Sequence, residues 1–308
     1  MRIVFMGTPE YSEKTLAALY GAGYEIAAVF AQPDKPVGRK QVLTAPATKV
    51  FALEHGIPVY QPATLRDGSA EEILKKISPD LIAVVAYGKI LPEEILSLPK
   101  FGCVNGHASL LPELRGASPI QWSIVTGKTE TGVTTMLMDK GMDTGDILES
   151  RKVAIGDAET AGELFERLSV VTAELMLSTV KKLLDGEITP KKQDGTKATY
   201  APIIKKEMAH LDFTKTAAEL NNLVRGFNPW PVAFFLLEGK RIKIYAADAV
   251  TSDKYSAGTL FSENGGLYVS CGGKTALRLV TVQPEGKKTM NAEDMLRGNA
   301  DICGKTAE

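Results

Sequence analysis

The 308-residue sequence lacks several features that would decide its class at once. No apolar run is long: the longest, from Leu81 to Tyr87, has seven residues, against the ~20 that a membrane-spanning helix needs. The apolar stretch between Arg2 and Gly7 is too short for the core of a signal peptide. Cysteine is scarce. Cys103, Cys271 and Cys303 are odd in number and far apart, so neither a disulfide framework nor a cysteine-type zinc site is expected. The first strand ends in a single glycine instead of GxGxxG, and no GxxxxGK followed by Ser or Thr occurs. Dinucleotide and P-loop readings fall with them. What remains is a reduced, cytoplasmic, globular protein without membrane association, long enough for two domains of ~150 residues.

Net charge is also nearly absent, at −1, but it is unevenly spread. Residues 189–308 carry 17 Lys and Arg against 13 Asp and Glu, whereas residues 1–188 carry 19 against 24. A basic second part suits a polyanion such as nucleic acid, and an ordinary solvated surface gives the same count.

Short apolar segments at 2–6, 24–30, 57–60 and 80–87 read as buried strands. Helical patterns fall between them, from about 10 to 21, 48–55 and 68–77, with Thr8 as N-cap and Pro9 at the first helical position. That alternation predicts an α/β, doubly wound, mostly parallel Rossmann-like sheet. Ligands of such sheets lie beyond the carboxyl ends of the strands, here near Gly7-Thr8, Ala86-Tyr87-Gly88 and residues 105–112. A Pro/Gly-rich loop at 32–41 interrupts the pattern with Lys35, Arg39 and Lys40 against Asp34, and Lys49 follows. It suits phosphate contact or is a solvated surface loop.

Residues 160–184 have the spacing of a long helix that closes a first domain, 1–188. A Lys/Thr/Pro-rich linker, 189–207, leads to a second domain, 208–308. There a helix at 217–227 precedes five short strand patterns, punctuated by Glu238-Gly239 and Asn264-Gly265-Gly266. These predict a small, OB-like β-barrel, a shape often used on oligonucleotides. A short helix at 291–296 follows, and the last ten residues are expected to fray.

The chemistry concentrates in Asn105-Gly106-His107. Residues two apart on a strand share a face, so Asn105 and His107 stand side by side. An amide donor next to an imidazole suits transfer of a carbonyl group. About thirty residues later Asp139, Asp143 and Asp146 lie between glycines. Each is equally readable as a turn residue bonding its own backbone, and pattern alone does not choose among them.

Taken together, the motifs resemble the methionyl-tRNA formyltransferase family over nearly the whole chain. The resemblance rests on VVAYGKILP at 84–92, NGHASLLP at 105–112 and MDKGMDTGD at 138–146, with FNPWP at 227–231 and QPEGKKTM at 283–290. It implies transfer of the formyl group of 10-formyltetrahydrofolate to the α-amino group of methionyl-initiator tRNA; no metal is expected, because the sequence shows no ligand cluster and the formyl group is already activated on its donor, and a monomer is expected, because nothing suggests an obligate interface. It assigns catalysis to Asn105, His107 and Asp143, and cofactor contacts to Ser109, Leu110, Leu111 and Pro112, with Tyr87 and Gly88 at the neighbouring strand end. Transfer RNA contacts are implied for Lys35, Arg39 and Lys40 on the 33–49 loop and for Lys287 and Lys288. Asn105 would donate to the formyl oxygen, a protonated His107 would add a second donor, and Asp143 would orient His107 and accept the proton of the amine. The chain departs from the family at Gly106, where Val or Ile is usual. A formyltransferase for a small amine would share the three catalytic residues, and a non-catalytic tRNA-binding protein would not need them.

Overall fold

The computed structural model describes residues 1–38 and 40–308. Its chain forms two compact units. The first comprises Met1–Pro119, Thr131–Ala154 and Phe165–Ala201; the second comprises Ile120–Glu130, Ile155–Leu164 and Pro202–Glu308. Two short segments expected in the first domain, 120–130 and 155–164, thus group with the second. They are held there by internal bonds: Trp122 Nε1 donates to Pro202 O, Arg225 donates to the carbonyls of Gly156 and Glu159, and Gly162 N–H donates to Asn228 O.

In the first unit the elements run β1 (Arg2–Gly7), α1 (Glu10–Gly21), β2 (Glu25–Phe30), β3 (Lys35–Val37), β4 (Val42–Thr44), α2 (Ala47–Glu54), β5 (Val59–Tyr60), α3 (Ser69–Ile77), β6 (Leu81–Val85), α4 (Glu93–Leu96) and β7 (Cys103–His107). After α5 (Pro119–Val125), nearly all of which groups with the second unit, come β8 (Glu130–Leu137), β9 (Ile147–Ala154) and the long α6 (Ala161–Asp185), whose first turn also groups with the second unit. Seven strands form one sheet in the order β5-β2-β1-β6-β7-β8-β9. Pairing is parallel from β5 through β7 and antiparallel between β7 and β8. Every residue of β6 is buried, as expected of a parallel strand covered on both faces. On one face Val4, Met6, Phe30, Leu74, Ile82 and Cys103 share a core cluster. The mostly parallel Rossmann-like sheet expected from the sequence is what the chain forms.

Two local expectations fail. Pro9, not Thr8, caps α1. The Thr8 hydroxyl instead donates to Tyr87 O and accepts from Gln32 N–H, tying three strand-end loops together. The loop at 32–41 is partly regular, because Lys35 to Val37 pair antiparallel with Val42 to Thr44 in a two-stranded hairpin. Both strands are exposed along their length, so no burial alternation marks them.

In the part of the second unit after residue 202, the first α-helix is α7 (Ala217–Gly226), whose start is a capping box. Glu219 N–H donates to the Thr216 hydroxyl, and Thr216 N–H donates back to the Glu219 carboxylate. Then come β10 (Phe234–Leu237), β11 (Lys240–Thr251), β12 (Leu260–Glu263), β13 (Gly266–Cys271), β14 (Thr275–Pro284), β15 (Met290–Asn291) and α8 (Ala292–Arg297). The sheet order is β10-β11-β14-β13-β12, with β15 on β14, and these neighbours pair antiparallel. The expected frayed end is corrected by the structure. Leu260 N–H donates to Lys305 O and Ala307 N–H to Gly258 O, while Leu236 and Glu308 exchange two backbone bonds. The last residues therefore bridge the two edge strands, β12 and β10, and Ile302 and Ala307 are buried. Among the described residues no helix is long and apolar enough to cross a membrane.

Candidate active site

β7 carries the site. Its parallel pairing with β6 sets Val84 beside Asn105, and its antiparallel pairing with β8 sets Asn105 opposite Met136 and His107 opposite Thr134. Gly106 points the other way and is buried. A Cβ built there would lie 2.9 Å from Thr172 Cγ2 and 3.4 Å from both Met176 Cε and Val85 Cγ2. The departure from Val or Ile thus has a physical reason: α6 approaches β7 too closely for a side chain. Asn105 and His107 remain on the opposite face, where the sequence reading put them.

Of the three acids in the following loop, Asp143 meets them. Its Oδ1 lies 3.5 Å from Asn105 Nδ2 and 3.6 Å from His107 Nδ1. Its Oδ2 accepts from Gly116 N–H at 2.8 Å. One carboxylate oxygen is therefore committed to the backbone. The other faces two polar groups at distances too long for tight hydrogen bonds. Asp139 accepts from Gly141 N–H and Thr144 Oγ1 at 3.0 and 2.6 Å, so it is the turn residue.

The His107 ring is oriented from behind. Nε2 lies 3.0 Å from Leu114 O, and a carbonyl only accepts, so Nε2 carries hydrogen. Nδ1 is then the nitrogen free for chemistry. It binds Asp143 Oδ1 attractively only when it also holds a proton. The arrangement can keep a proton between imidazole and carboxylate beside an amide donor.

The stretch after β7 is pinned by β8. Thr134 Oγ1 donates to Ser109 O (2.7 Å) and accepts from Leu111 N–H (3.1 Å). The Ser109 hydroxyl is spent on Glu113 O at 2.6 Å, which leaves Leu110 and Pro112, both half-buried, as the side chains open to a ligand. Gly88 is exposed. The Tyr87 ring lies in the core, its hydroxyl has no hydrogen-bond partner among the described residues, and burial pushes that hydroxyl up to about 12. Tyr87 instead offers its backbone carbonyl, which accepts from Gln32 Nε2 at 3.0 Å.

The cations expected to contact tRNA fall in two places. Lys35 and Lys40 are exposed on the β3–β4 hairpin of the first unit, and Arg39 lies outside the described residues. Lys287 and Lys288 are exposed on the turn between β14 and β15 in the second unit. Lys49 is not free for a phosphate, since its amine holds both Asp34 oxygens at 2.9 Å and Gln61 Oε1 at 2.8 Å at the foot of the hairpin.

Two residues that sequence reasoning missed support the Asp143 loop. Gln193 donates to the carbonyls of Asp143 and Gly145 and accepts from Arg115. Gln193 falls in the expected linker. Residues 191–201 are instead bonded to the first unit, through Lys191 with Ile147, Thr199 with Leu114 and Arg115, and Ala201 with Arg115. No residue type signals this, because most of these partners are backbone groups. Among the described residues no group of His, Cys, Asp and Glu could hold a metal ion.

Known proteins share this chain's sequence and fold. Residues 1–180 match the formyl transferase family profile, and residues 203–300 match that of the formyl transferase C-terminal domain. The methionyl-tRNA formyltransferase of Bacillus subtilis is 48% identical over 299 residues, covering 96% of this chain and 94% of its own. That of Caldanaerobacter subterraneus is 45% identical over 301 residues, covering 97% of each. Among solved structures, a Helicobacter canadensis N-formyltransferase in complex with folinic acid and dTDP-3-aminofucose superposes with a TM-score of 0.68 at 19% identity. It covers 92% of this chain and 98% of its own. WlaRD, a sugar 3N-formyl transferase, gives 0.68 at 18% identity, covering 94% and 99%. At those identities the structural likeness speaks for the fold alone.

Proposed function

Since the chain belongs to the formyl transferase family, with both its N-terminal and C-terminal domains, we propose that it transfers the formyl group of 10-formyltetrahydrofolate to the α-amino group of methionyl-initiator tRNA, for translation initiation. The observation that carries this reading is likeness across both domains, at near-complete coverage, to enzymes named for methionyl-tRNA formylation. Sugar N-formyltransferases share the fold at below 20% identity, and that distance favours the tRNA substrate over a small amine. All three proposed catalytic groups come from one unit of one chain, which supports a monomer. A charged tRNA as acceptor supports a cytoplasmic setting.

The donor set fits a folate co-substrate. Leu110 and Pro112 offer partly open apolar surface just beyond the end of β7, and the exposed backbone at Gly88 offers polar contacts beyond the end of β6. The folate supplies a formyl group already activated on nitrogen. As the amine attacks the formyl carbon, negative charge grows on the formyl oxygen, and Asn105 Nδ2 donates to it. His107 Nδ1, when protonated, is the second available donor, its Nε2 being held by Leu114 O. Asp143 Oδ1 takes up the proton lost by the amine, because a protonated His107 has no ring nitrogen left to accept one. The bond between formyl carbon and folate nitrogen then breaks, and a proton returns to that nitrogen. Removing one such preorganised donor costs about 10²–10³ in rate.

The test is a formylation assay on methionyl-initiator tRNA, with free methionine, elongator methionyl-tRNA and an amino-sugar nucleotide as competing acceptors. Formylation of initiator tRNA alone supports the reading, and equal turnover of an amino sugar refutes it. Asn105→Ala and Asp143→Ala should each lose about 10²-fold or more in kcat. Near-full turnover by either would remove that residue from the mechanism.

A further inference from the structure

Asp143 sits at φ +53°, in the left-handed region, where a non-glycine residue is strained and persists only if its neighbours enforce the conformation. Two contacts enforce it from one short stretch of chain. Gly116 N–H holds the carboxylate directly, through Oδ2 at 2.8 Å. Arg115, the residue before it, holds the main chain of the loop through Gln193.

The amide of Gln193 is used completely. Its Nε2 donates to Asp143 O at 2.8 Å and to Gly145 O at 2.7 Å, one carbonyl on each side of Thr144. Its Oε1 accepts from Arg115 Nε at 3.1 Å and Nη2 at 2.7 Å. A guanidinium only donates and a backbone carbonyl only accepts, so the amide has one orientation that satisfies all four bonds. Arg115 is itself a fixed post. It is 6% exposed, its N–H donates to Thr199 O, and its carbonyl accepts from Ala201 N–H. Bonds from a charged donor are also the stronger kind.

We propose that Gln193, oriented by Arg115, is the positioning residue that aims Asp143 Oδ1 at Asn105 and His107. It touches none of the reacting groups, so it acts on the rate through the Asp143 loop. The proposal rests on the reading of Asp143 as catalytic.

Gln193→Glu keeps the acceptor for Arg115 but sets a carboxylate against two carbonyls. Gln193→Met keeps the length and removes every bond, and serves as the second variant should the first fail to fold. Steady-state kinetics on methionyl-initiator tRNA, normalised to active sites by single-turnover amplitude, should show kcat reduced by about 10–10²-fold, the scale of a misplacement near 1 Å. KM for either substrate should change little. In an Asp143→Asn background the same substitutions should cost nothing more, because they act through the group already removed. A per-site kcat equal to the parent's, or a further loss in the Asp143→Asn background, overturns the positioning role. If Asp143→Asn alone leaves kcat intact, the reading of Asp143 fails first, and that result is distinct from the other two.

Discussion

Gly106→Ala is the smallest change that tests how β7 is placed. The new Cβ would stand 2.9 Å from Thr172 Cγ2, with Met176 Cε and Val85 Cγ2 each at 3.4 Å. Met176 presents a flexible end and can give way. Thr172 cannot readily do so, because it is fully buried and its Oγ1 lies 2.6 Å from Tyr11 OH. Overpacking of this kind costs about 1–3 kcal/mol. Replacing a strand glycine by alanine returns about 0.5–1 kcal/mol of backbone entropy. The net expectation is a loss of about 0.5–2 kcal/mol. Thr172→Ser removes the offending methyl and keeps the bond to Tyr11, so in that background Gly106→Ala should become neutral or stabilising. The cycle should therefore show a coupling of about 1–3 kcal/mol, where each 1.4 kcal/mol is tenfold in an equilibrium. Hydrogen exchange of peptides covering β7 and α6 is the assay of choice. Tryptophan fluorescence would not serve, since Trp122 and Trp230 both belong to the second unit. Activity should follow stability, because Asn105 and His107 flank the substituted position. A Gly106→Ala protein as stable as the parent, or a Thr172→Ser background that brings no relief, would refute the close-approach argument.

Deleting residues 305–308 removes four backbone bonds to β10 and to Gly258 and Leu260; at about 1 kcal/mol each, the second unit should lose several kcal/mol. A calorimetric midpoint unmoved by the deletion would contradict the bridging role. Asp34 is held below the usual carboxylate range by hydrogen bonds from Gln61, then from Lys49. Because that shift is downward, its stabilisation is present above the ordinary value of 3.8 and is lost as pH falls through the lower, folded value. Asp34→Asn should thus loosen exchange in the β3–β4 hairpin at pH 7, and parent and variant should converge once Asp34 is protonated in the folded protein; a difference that persists in acid would exclude this origin. For tRNA, replacing Lys35, Lys40, Lys287 or Lys288 by alanine should each lower the log–log salt slope of binding by roughly 0.7–0.9 if that lysine meets a phosphate. A slope equal to the parent's removes that lysine from the contact surface.

Much of the fold could be read from the chain because its signals are local. Leu81 to Val85 is a continuous apolar run and is buried throughout. The long α6 and the strands of the second unit likewise announce themselves by period and by turn residues. The pair Asn105 and His107 followed from alternation along one strand. Features that depend on distant or main-chain partners did not show. The strands β3 and β4 are exposed on every residue and so carry no burial pattern. The last residues pair largely through backbone bonds, and their terminal position made them look loose.

The site divides along the same line. Gly106 reads from sequence as a weak point in a strand, and only the arrival of Thr172, 66 positions later, makes it a requirement. Three acids of one loop are equivalent by residue type. What separates Asp143 from Asp139 is a left-handed backbone held by Gly116 N–H and by the two donations of Gln193. Neither holder is a residue type that marks catalysis. Chemistry-bearing side chains are therefore the legible part of this site. The groups that decide which carboxylate is aimed at the imidazole are amides and carbonyls, which every residue has and no pattern singles out. A neutral glutamine far along the chain can then matter to the rate as much as a charged residue within the motif.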